Sequence, residues 1–581
     1  MVTVYCKNTG TKKEFVEGLT LQEILKGFEF EQPYDILAAK VNNVTTSLKF
    51  RIFNSRDVEF LDFRAYAGRN VYSSSLCFLA AKAAEDVFPG CRLVMRRPIS
   101  KGFFCTLEKA PGQRVEKAAC LCTEADVAAI SARMREIVEK NLSIRRHEVQ
   151  QEEAIEIFRK KGCEDKVRLL ETTDMVYVTF YTIGDSVDYY CYPLVPSTGY
   201  LKVWDLSLYK GGLLLRLPDR HEPGQLAPFF EQPKTYEIFN EMNRWNGIME
   251  LGSVGDLNKA CQNGRATELI QIAEALQEKK IVRIAEDIDA CFRNGKPAEG
   301  GRQGCSSNAD GGVNGTGVRV VLITGPTSSG KSTFCKKLSV QLKACGLKPV
   351  SFSTDDYFVD RVKTPKLPDG SYDFDNFDTV DHDALQQDVL KLLRGETVQV
   401  PEFNFVTGIR EYNGKTLQLK ENSILLIEGI HALNPMLTNL VPSEKKYKIF
   451  INTITSLSLD DHNCIPTSDY RLLRRIVRDS NNGSFTATQT ISNWPNVRRA
   501  EVKWIYPFQE EADVLFNSSY LVEFAVLRSH AERILSTVRK NTPQYSEANR
   551  LLMFLNYFVP VSDRHVPATS ILRGVIGGGS L

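Results

Sequence analysis

The chain has 581 residues, of which 43% are hydrophobic and 25% are charged, and its formal net charge is +2. This composition is typical of a globular protein with about three or four domains. So small a net charge gives no whole-chain argument for nucleic acid or an anionic membrane as partner. No run of about 18 apolar residues is present, so no membrane-spanning helix is predicted. MVTVYCKNTG at the start lacks the regions of a secretory signal, and the 14 cysteines form no CxxC pair, which favours a cytoplasmic protein.

Residues 1–65 are predicted to form a small β-grasp unit. MVTVYC and KKEFVEG are strand candidates around a turn, and Thr20 with Glu23 forms a capping box before a helix. AAKVNNV, SLKFRIF and VEFLD supply further short strands. This order resembles the TGS domain at the start of threonyl-tRNA synthetases, and the resemblance implies contact with RNA or another protein. A module that only packs against its neighbours is the open alternative.

Residues 66–235 continue this resemblance. SSSLCFLAAKAA, an amphipathic helix over 124–141 and HEVQQEEA resemble the α+β editing domain of these synthetases. The family carries two zinc-type histidines in the first of these segments, whereas this sequence has Ser74 and Phe78 at the matching positions. A hydroxyl and a phenyl ring cannot clasp a metal. The resemblance therefore implies an editing fold without editing chemistry, which argues against a tRNA-editing hydrolase and leaves contact with RNA, a ligand or another domain open.

Two stretches lead to the C-terminal half. Residues 236–295 are predicted to form a helical connector. Residues 296–316 are dominated by Gly, Ser, Asn and Pro, and a segment so poor in apolar side chains is expected to be a flexible insertion.

A phosphate-binding loop is the sharpest motif in the sequence. It follows the apolar run Val318–Ile323 and consists of Gly325, Pro326, Thr327, Ser328, Ser329, Gly330, Lys331, Ser332 and Thr333. Glycines let backbone N–H groups curl around phosphate oxygens, and the following helix adds the partial positive charge of its N-terminus. Lys331 can reach the β- and γ-phosphates, and the Ser332 hydroxyl can coordinate Mg²⁺. The motif predicts binding of a nucleoside triphosphate with Mg²⁺.

Strands and helices continue to alternate after this loop. KPVSFST, ILLIEG and KYKIFIN are strand candidates, with helical stretches such as DALQQDVLKLLRG between them. This order predicts an α/β domain with a mainly parallel sheet whose ligands lie at the carboxyl ends of the strands. Asp355 follows the second strand and can take the proton of an attacking hydroxyl, although capping the next turn is the alternative. Glu428 ends the third strand and is placed to partner Mg²⁺.

Two further stretches carry groups suited to an acceptor. The stretch 372–378, YDFDNFD, offers carboxylates for sugar hydroxyls, and an exposed acidic loop is the competing interpretation. Phe403 and Phe405 lie on the same side of an extended segment and are suited to stacking a base, although core packing would explain them equally well.

Together these residues resemble the uridine kinase/phosphoribulokinase family over about 317–530. The resemblance implies roles for particular side chains. The catalytic base falls on Asp355, the ribose-binding carboxylate on Asp375, the base pocket on Phe358, Phe403 and Phe405, the Mg²⁺-associated glutamate on Glu428, and the phosphate-clamping arginines on Arg475 and Arg478. Planar guanidinium donors suit the oxygens of a transferring phosphoryl group.

The sequence departs from the family in two places. The lid lacks a second pair of arginines, since Asn482–Phe485 stands there, and Arg498 and Arg499 are substitutes by position only. Gly408 replaces the base-reading histidine, which puts the choice of nucleoside in doubt. Residues 531–581 form a C-terminal extension that resembles the variant of this family fused to synthetase-like domains.

The sequence thus predicts an ATP-dependent nucleoside kinase that transfers the γ-phosphoryl group to a 5′-hydroxyl. One alternative is a kinase of the same fold for another small hydroxyl acceptor. The other is a nucleotide-gated RNA-binding or regulatory protein. The oligomeric state stays open.

Overall fold

The computed structural model describes residues 1–109, 121–296, 317–368, 370–455 and 457–581. All of the predicted flexible insertion except residue 296 lies outside these ranges, so its flexibility stays a prediction. Within the described ranges, no helix is long and apolar enough to cross a bilayer.

The N-terminal unit is a five-stranded mixed sheet with one short helix. Its elements are β1 (Val2–Cys6), β2 (Thr11–Phe15), α1 (Leu21–Leu25), β3 (Ala38–Val41), β4 (Val44–Ser47) and β5 (Arg56–Leu61). The strand order is β2-β1-β5-β3-β4, with β1 and β5 parallel, which is the expected β-grasp arrangement. The capping box is confirmed, since Thr20 and Glu23 bond reciprocally. The strand predicted over SLKFRIF is wrong: the chain turns at Ser47–Phe50, and its apolar residues Leu48 and Ile52 are buried outside any strand.

The second unit packs two antiparallel sheets against helices. Its elements are α2 (Tyr66–Val87), β6 (Cys91–Ile99), β7 (Gly102–Lys109), α3 (Glu124–Glu139), β8 (Ile144–Gln150), α4 (Gln151–Lys160), α5 (Glu164–Glu171), β9 (Tyr177–Ile183), β10 (Ser186–Asp188), β11 (Asp205–Tyr209) and β12 (Gly212–Arg216). The sheets have the orders β10-β9-β8 and β11-β12-β7-β6. This is the predicted α+β unit, with α2 and α3 in contact over one core.

Three helices follow: α6 (Pro233–Met249), α7 (Val254–Gln262) and α8 (Ala266–Asn294). The predicted connector does more than join two domains. Ile281, Ile284 and Ile288 recur every three to four residues along α8 and are fully or almost fully buried. They share a hydrophobic cluster with the strand and the helix that flank the phosphate-binding loop. Helix α8 is therefore a structural part of the kinase region.

The C-terminal half contains a parallel sheet. Its strands are β13 (Val320–Thr324), β14 (Lys348–Ser353), β19 (Ser423–Glu428), β20 (Lys446–Asn452) and β21 (Val514–Asn517), and its order is β14-β19-β13-β20-β21. Helices α9 (Lys331–Ala344) and α10 (His382–Leu393) follow β13 and β14 along the chain. Two small hairpins, β15 (Val398–Gln399) with β18 (Thr416–Leu417) and β16 (Glu402–Asn404) with β17 (Ile409–Glu411), precede β19. The α/β class with a parallel sheet is confirmed; β21 was not predicted.

The last helices are α11 (Thr467–Asn481), α12 (Ala487–Trp504), α13 (Glu523–Leu535), α14 (Tyr545–Leu555) and α15 (Arg573–Ile576). Helix α13 runs through the predicted boundary at residue 530. Helix α11 contacts α12, α13 and α15 and shares one hydrophobic cluster with α4, α5, α7 and α14. The second unit, the sheet domain and the C-terminal extension therefore have a common core.

Candidate active site

The predicted phosphate-binding loop connects β13 to α9. All five residues of β13 are buried, as expected for the central strand of a parallel sheet. A Cβ atom on Gly325 would lie 2.1 Å from the Ile451 carbonyl oxygen, so only glycine fits there. Gly330 has φ +90°, and Ser328 has φ +60°, a region that residues other than glycine rarely adopt. The loop is thus a tight, specifically shaped turn at the N-terminus of a helix.

Lys331 and Ser332 begin α9 and face different partners. The Lys331 ammonium donates to the Gly325 carbonyl at 2.9 Å and to that of Pro326 at 3.3 Å. Burial lowers the pKa of Lys331, and the negative charges of Glu428 and Asp355 oppose that effect. The Ser332 hydroxyl donates to Glu428 Oε1 at 2.9 Å. Glu428 reaches this position because the last residue of β19 pairs with Ile323 of β13.

Asp355 lies in the short 3₁₀ turn after β14, at the same edge of the sheet. Burial and the nearby charge of Glu428 raise the pKa of this carboxyl to about 7, while Lys331 acts in the opposite direction. The capping role considered for Asp355 belongs to its neighbours. The Ser353 hydroxyl accepts from the Asp355 N–H at 3.2 Å, and Asp356 accepts from the Ser353 N–H at 3.2 Å. Asp355 is thus not needed as a cap.

Asp375 lies on the loop before α10, close to the arginines of α11. Burial raises the pKa of its carboxyl to about 6, and the positive charges of Arg475 and Lys331 lower it. Beneath this loop, His431 packs its ring edge against Phe377, with 5.4 Å between the ring centroids. Burial lowers the pKa of His431 to about 3, so it is a neutral packing group. The structure therefore places Asp355 and Asp375 in the surroundings of the same lysine.

The three predicted base-pocket residues form one aromatic cluster, which we call the Phe cluster. The ring centroids of Phe358 and Phe403 are 5.5 Å apart, those of Phe403 and Phe405 are 5.2 Å apart, and those of Phe358 and Phe405 are 6.2 Å apart, all with edge-on geometry. Phe358 and Phe403 are buried, whereas Phe405 is 62% exposed. Core packing explains the first two rings but not the third, whose apolar surface is exposed.

Arg475 and Arg478 lie on α11, on the side of the phosphate-binding loop. Arg475 donates to the Thr327 hydroxyl at 2.8 Å and to Asp479 at 3.0 Å. Arg478 donates to Asp479 at 3.2 Å. Burial and the nearby charge of Arg475 lower the pKa of Arg478. Two guanidinium groups that share one carboxylate retain donors for an anion.

Two other arginines of α11 were not predicted as part of the site. Arg471 forms a paired bond with Glu501 of α12, and Glu501 also accepts from the Thr327 N–H at 3.1 Å. Arg474 bonds to Glu523 and donates to the Ser328 carbonyl at 3.2 Å. Both ion pairs are buried, and both hold the loop.

Each of the four arginines of α11 lies three or four residues from two of the others, and this spacing indicates that they share one side of the helix. They are Arg471, Arg474, Arg475 and Arg478. The acidic partners of Arg471 and Arg474 lie 30 and 49 residues away in sequence, and no local signal predicts such pairings.

Of the two positional substitutes for the missing lid arginines, Arg498 is engaged elsewhere. It donates to Glu501 at 3.0 Å and to the Tyr506 hydroxyl at 3.4 Å. Arg499 is exposed on α12. Within the part of the chain that the structure describes, no hydrogen bond or ion pair joins either arginine to the loop.

The C-terminal segment also contacts the loop, which sequence reasoning missed. Ile571 is buried, and a Cβ atom on Gly330 would lie 2.5 Å from its side chain. The Asn481 amide at the end of α11 donates to the Val575 carbonyl at 3.1 Å. This segment therefore touches both the loop and the helix that bears the arginines.

In the predicted editing-like unit, Ser74 and Phe78 occupy the two positions that match the histidines of the synthetases. Ser74 is half-buried on α2, and Phe78 is buried against Tyr190, with 5.6 Å between the ring centroids. A separate cavity of about 1040 Å³, the junction cavity, lies between β4, β8 and α14. Its lining includes Lys49, Arg145 and Arg146.

A glycine-rich loop between a buried parallel strand and a helix, with a lysine, a Ser–Glu pair and clamping arginines, defines a P-loop kinase. Residues 320–524 match the model of the "Phosphoribulokinase / Uridine kinase family". The C-terminal region is thus a kinase domain, as the sequence predicted.

The N-terminal half has relatives of another class. The chain is 30% identical over 190 residues to a threonine–tRNA ligase of Parabacteroides distasonis, which is 33% of this chain and 28% of that protein. It is 31% identical over 195 residues to the corresponding ligase of Carboxydothermus hydrogenoformans, covering 33% and 29%. The chain thus spans less than a third of the length of these curated relatives.

Solved structures with lower similarity are also kinases. One is described as "a Possible Uridine Kinase" from Bacillus stearothermophilus, at 19% identity and a TM-score of 0.23, covering 35% of this chain and 91% of that chain. Another is D-glycerate 3-kinase from Cryptococcus neoformans var. grubii, at 14% identity and a TM-score of 0.27, covering 40% and 89%. Likeness at this level does not identify an acceptor.

Proposed function

We propose that the protein is an ATP-dependent kinase that phosphorylates the 5′-hydroxyl of a nucleoside. The observation that carries this proposal is that β16 of the Phe cluster contacts the turn that holds Asp355, while the charge of Lys331 acts on Asp375. An apolar ring surface suits a base, and a carboxylate suits ribose hydroxyls. The other parts of the site would serve any kinase of this fold. We expect the enzyme to act in the cytoplasm.

The transfer follows from the charges around the loop. Backbone N–H groups and Lys331 hold the β- and γ-phosphates of ATP. Asp355, once ionised, accepts the proton of the acceptor hydroxyl as its oxygen bonds to the γ-phosphorus. The bond from that phosphorus to the bridging oxygen breaks, and the leaving group is ADP. Arg475 and Arg478 balance the negative charge that spreads over the transferring oxygens.

The residues at the loop fit a Mg²⁺ ion that accompanies the nucleotide. The Ser332 hydroxyl and the Glu428 carboxylate are hard oxygen donors, and their oxygens lie 2.9 Å apart. These two residues would hold the ion, which would supply positive charge beside the phosphate oxygens.

The test is ATP consumption by the full chain with a panel of nucleosides, with mass detection of the monophosphate. We expect at least one nucleoside to be phosphorylated, and Asp355→Asn to lower turnover by about three or more orders of magnitude while ATP binding persists. Turnover that Asp355→Asn leaves nearly unchanged would refute the assigned base. Bound ATP without turnover of any nucleoside would favour another hydroxyl acceptor.

The junction cavity favours a second function, the binding of single-stranded RNA. The Lys49 ammonium donates there to the Ser143 hydroxyl at 2.8 Å and to the Ile144 carbonyl at 2.9 Å, both neutral oxygens. Burial and the nearby charge of Arg145 lower the pKa of Lys49. Cationic groups beside tyrosines suit single-stranded RNA. If RNA retains the protein and this retention weakens steeply as the salt concentration rises, the result would support a nucleotide-gated RNA-binding or regulatory role.

A further inference from the structure

The turn between β16 and β17 packs against Arg361, a residue that the family resemblance did not predict. Gly408 lies in this turn with φ +73°, and its carbonyl accepts from the Arg361 N–H at 2.8 Å. A Cβ atom on Gly408 would lie 2.8 Å from both the Cβ and the Nε of Arg361. The missing side chain of Gly408 is thus what makes room for the Arg361 side chain.

The Arg361 guanidinium lies at the exposed end of the Phe cluster. Its Nη2 donates to the Phe405 carbonyl at 2.5 Å. Among the described residues, its buried Nε has no hydrogen-bond partner. A buried donor without a partner is costly and rare in native proteins, so this nitrogen calls for an explanation.

The segment that carries Arg361 is fixed to the hairpin. Asp360 accepts from the Arg410 N–H at 3.1 Å, and Arg410 in turn pairs with Asp381 at 2.8 Å. The backbone of Phe358 pairs with that of Val380. Because the residues just before Arg361 are held and its own N–H bonds to the Gly408 carbonyl, its backbone has a defined position relative to the rings.

We infer that Arg361 determines which acceptor the site takes, by donating hydrogen bonds to an oxygen on the edge of the base. A guanidinium has donors and no acceptor. It can therefore bond to the ring carbonyl of a uracil-type base, whereas the exocyclic amine of a cytosine-type base would bring donor against donor. This inference rests on the proposed function and names the substrate class: nucleosides whose base presents a carbonyl oxygen at this edge.

The experiment compares kcat/KM for uridine and cytidine, which differ at that position, with the full chain at saturating ATP. The wild-type protein is expected to favour uridine by about ten- to a hundredfold. Arg361→Met keeps the length of the side chain and removes the donors, so it should reduce this ratio to about one. Lys363→Gln is the matched control: it removes a nearby exposed cation and should keep the wild-type ratio.

A second variant tests the same idea from the other side. Gly408→Ala places a Cβ atom where the Arg361 side chain lies, so it should also reduce the ratio while Arg361 is intact. Arg361→Lys, which keeps a donor, should retain part of the preference. Thermal melting separates these effects from unfolding.

The outcomes separate the two proposals. If no nucleoside is phosphorylated, the proposed function fails. If uridine and cytidine are used equally by the wild-type protein, or if Arg361→Met slows both by the same factor, the function stands and the inference about Arg361 is wrong.

Discussion

The candidate active site and the junction cavity both contain charged groups whose pKa is shifted by burial, and their chemistry differs. The active site gathers Lys331, Asp355 and Glu428 around a loop whose backbone is tightly constrained. The junction cavity is lined by tyrosines and cations. One of these cations, Lys49, donates to the neutral hydroxyl of Ser143. Burial lowers the pKa of a lysine in each region, and in the first region it also raises the pKa of the Asp355 carboxyl to about 7. The proposed phosphoryl transfer uses the first arrangement, and the proposed RNA binding uses the second.

The two halves of the chain also differ in how many of the expected reactive residues they contain. The kinase motifs keep their reactive residues, whereas the synthetase-like unit keeps its strands and helices but has Ser74 and Phe78 in place of ligands. Phe78 now fills the core. Loss of the editing chemistry in this unit remains a prediction, because a fold can persist without its original function.

The largest expected effect comes from exchanging one lysine in each region for alanine. Lys331→Ala removes the ammonium next to the loop and should lower turnover by about a thousandfold or more. Lys49→Ala removes a lysine from the junction cavity and should leave turnover within about twofold. Steady-state ATP consumption measures both. A large loss in Lys49→Ala would show that the two regions act together.

Next in size is the contrast between neighbouring arginines of α11. Arg475→Ala should lower kcat by about ten- to a thousandfold with little change in stability, because a partly exposed clamp is lost. Arg474→Ala leaves Glu523 buried without its ion-pair partner and should destabilise the fold by about 3–5 kcal/mol. Enzyme kinetics and denaturant unfolding distinguish the two. Equal effects on stability would contradict the division of α11 into a clamping and a structural pair.

The pH dependence of turnover should reflect Asp355. Its pKa is raised to about 7, so the base is ionised only above that pH, and kcat/KM should fall about tenfold per unit below it. A flat profile between pH 5.5 and 8 would contradict the assignment.

The same shift has a consequence for stability. The pKa of Asp355 in the folded state lies above its ordinary value of 3.8, so the carboxyl stabilises the fold fully at low pH and loses that contribution as the pH rises through about 7. Asp355→Asn removes a charge that is unfavourable at pH 8. Its melting temperature should therefore exceed that of the wild-type protein by a few degrees at pH 8, and by less at pH 5.

The smallest expected effect belongs to the junction cavity. Arg145→Ala should leave kinase turnover unchanged within about twofold, because this side chain lines the junction cavity and not the phosphate-binding loop. If RNA binds in this cavity, the same variant should weaken binding and reduce its salt dependence. Filter binding at two salt concentrations measures this. Unchanged RNA binding would place any RNA site elsewhere.

Much of the fold could be predicted because its signals are local. The apolar run before Gly325, the capping box at Thr20 and the alternation of strands and helices each lie within a few residues. The segment SLKFRIF failed because its apolar residues are buried in a turn, and burial pattern alone does not distinguish a turn from a strand. Strand β21 is short and follows a polar loop, so its pairing with β20 depends on the sheet that is already present.

The candidate site likewise contains residues that the sequence could predict and residues that it could not. Lys331, Ser332 and Asp355 follow from motif and strand order. The bracing of the loop by Glu501, Glu523 and Ile571 could not be predicted, because each contact joins segments far apart in sequence. Arg361 escaped notice for a related reason: its position depends on the absence of a side chain at Gly408.

Helix α8 and the C-terminal segment bear on where this protein can be cut. Ile281, Ile284 and Ile288 precede the family-matched residues 320–524, and Ile571 follows them, yet all four lie in the cluster around β13. Expression of the matched segment alone would expose that cluster to water and invite aggregation. The unit that folds is longer at both ends than the unit that sequence similarity delineates. A working fragment would begin before α8 and retain the residues through α15.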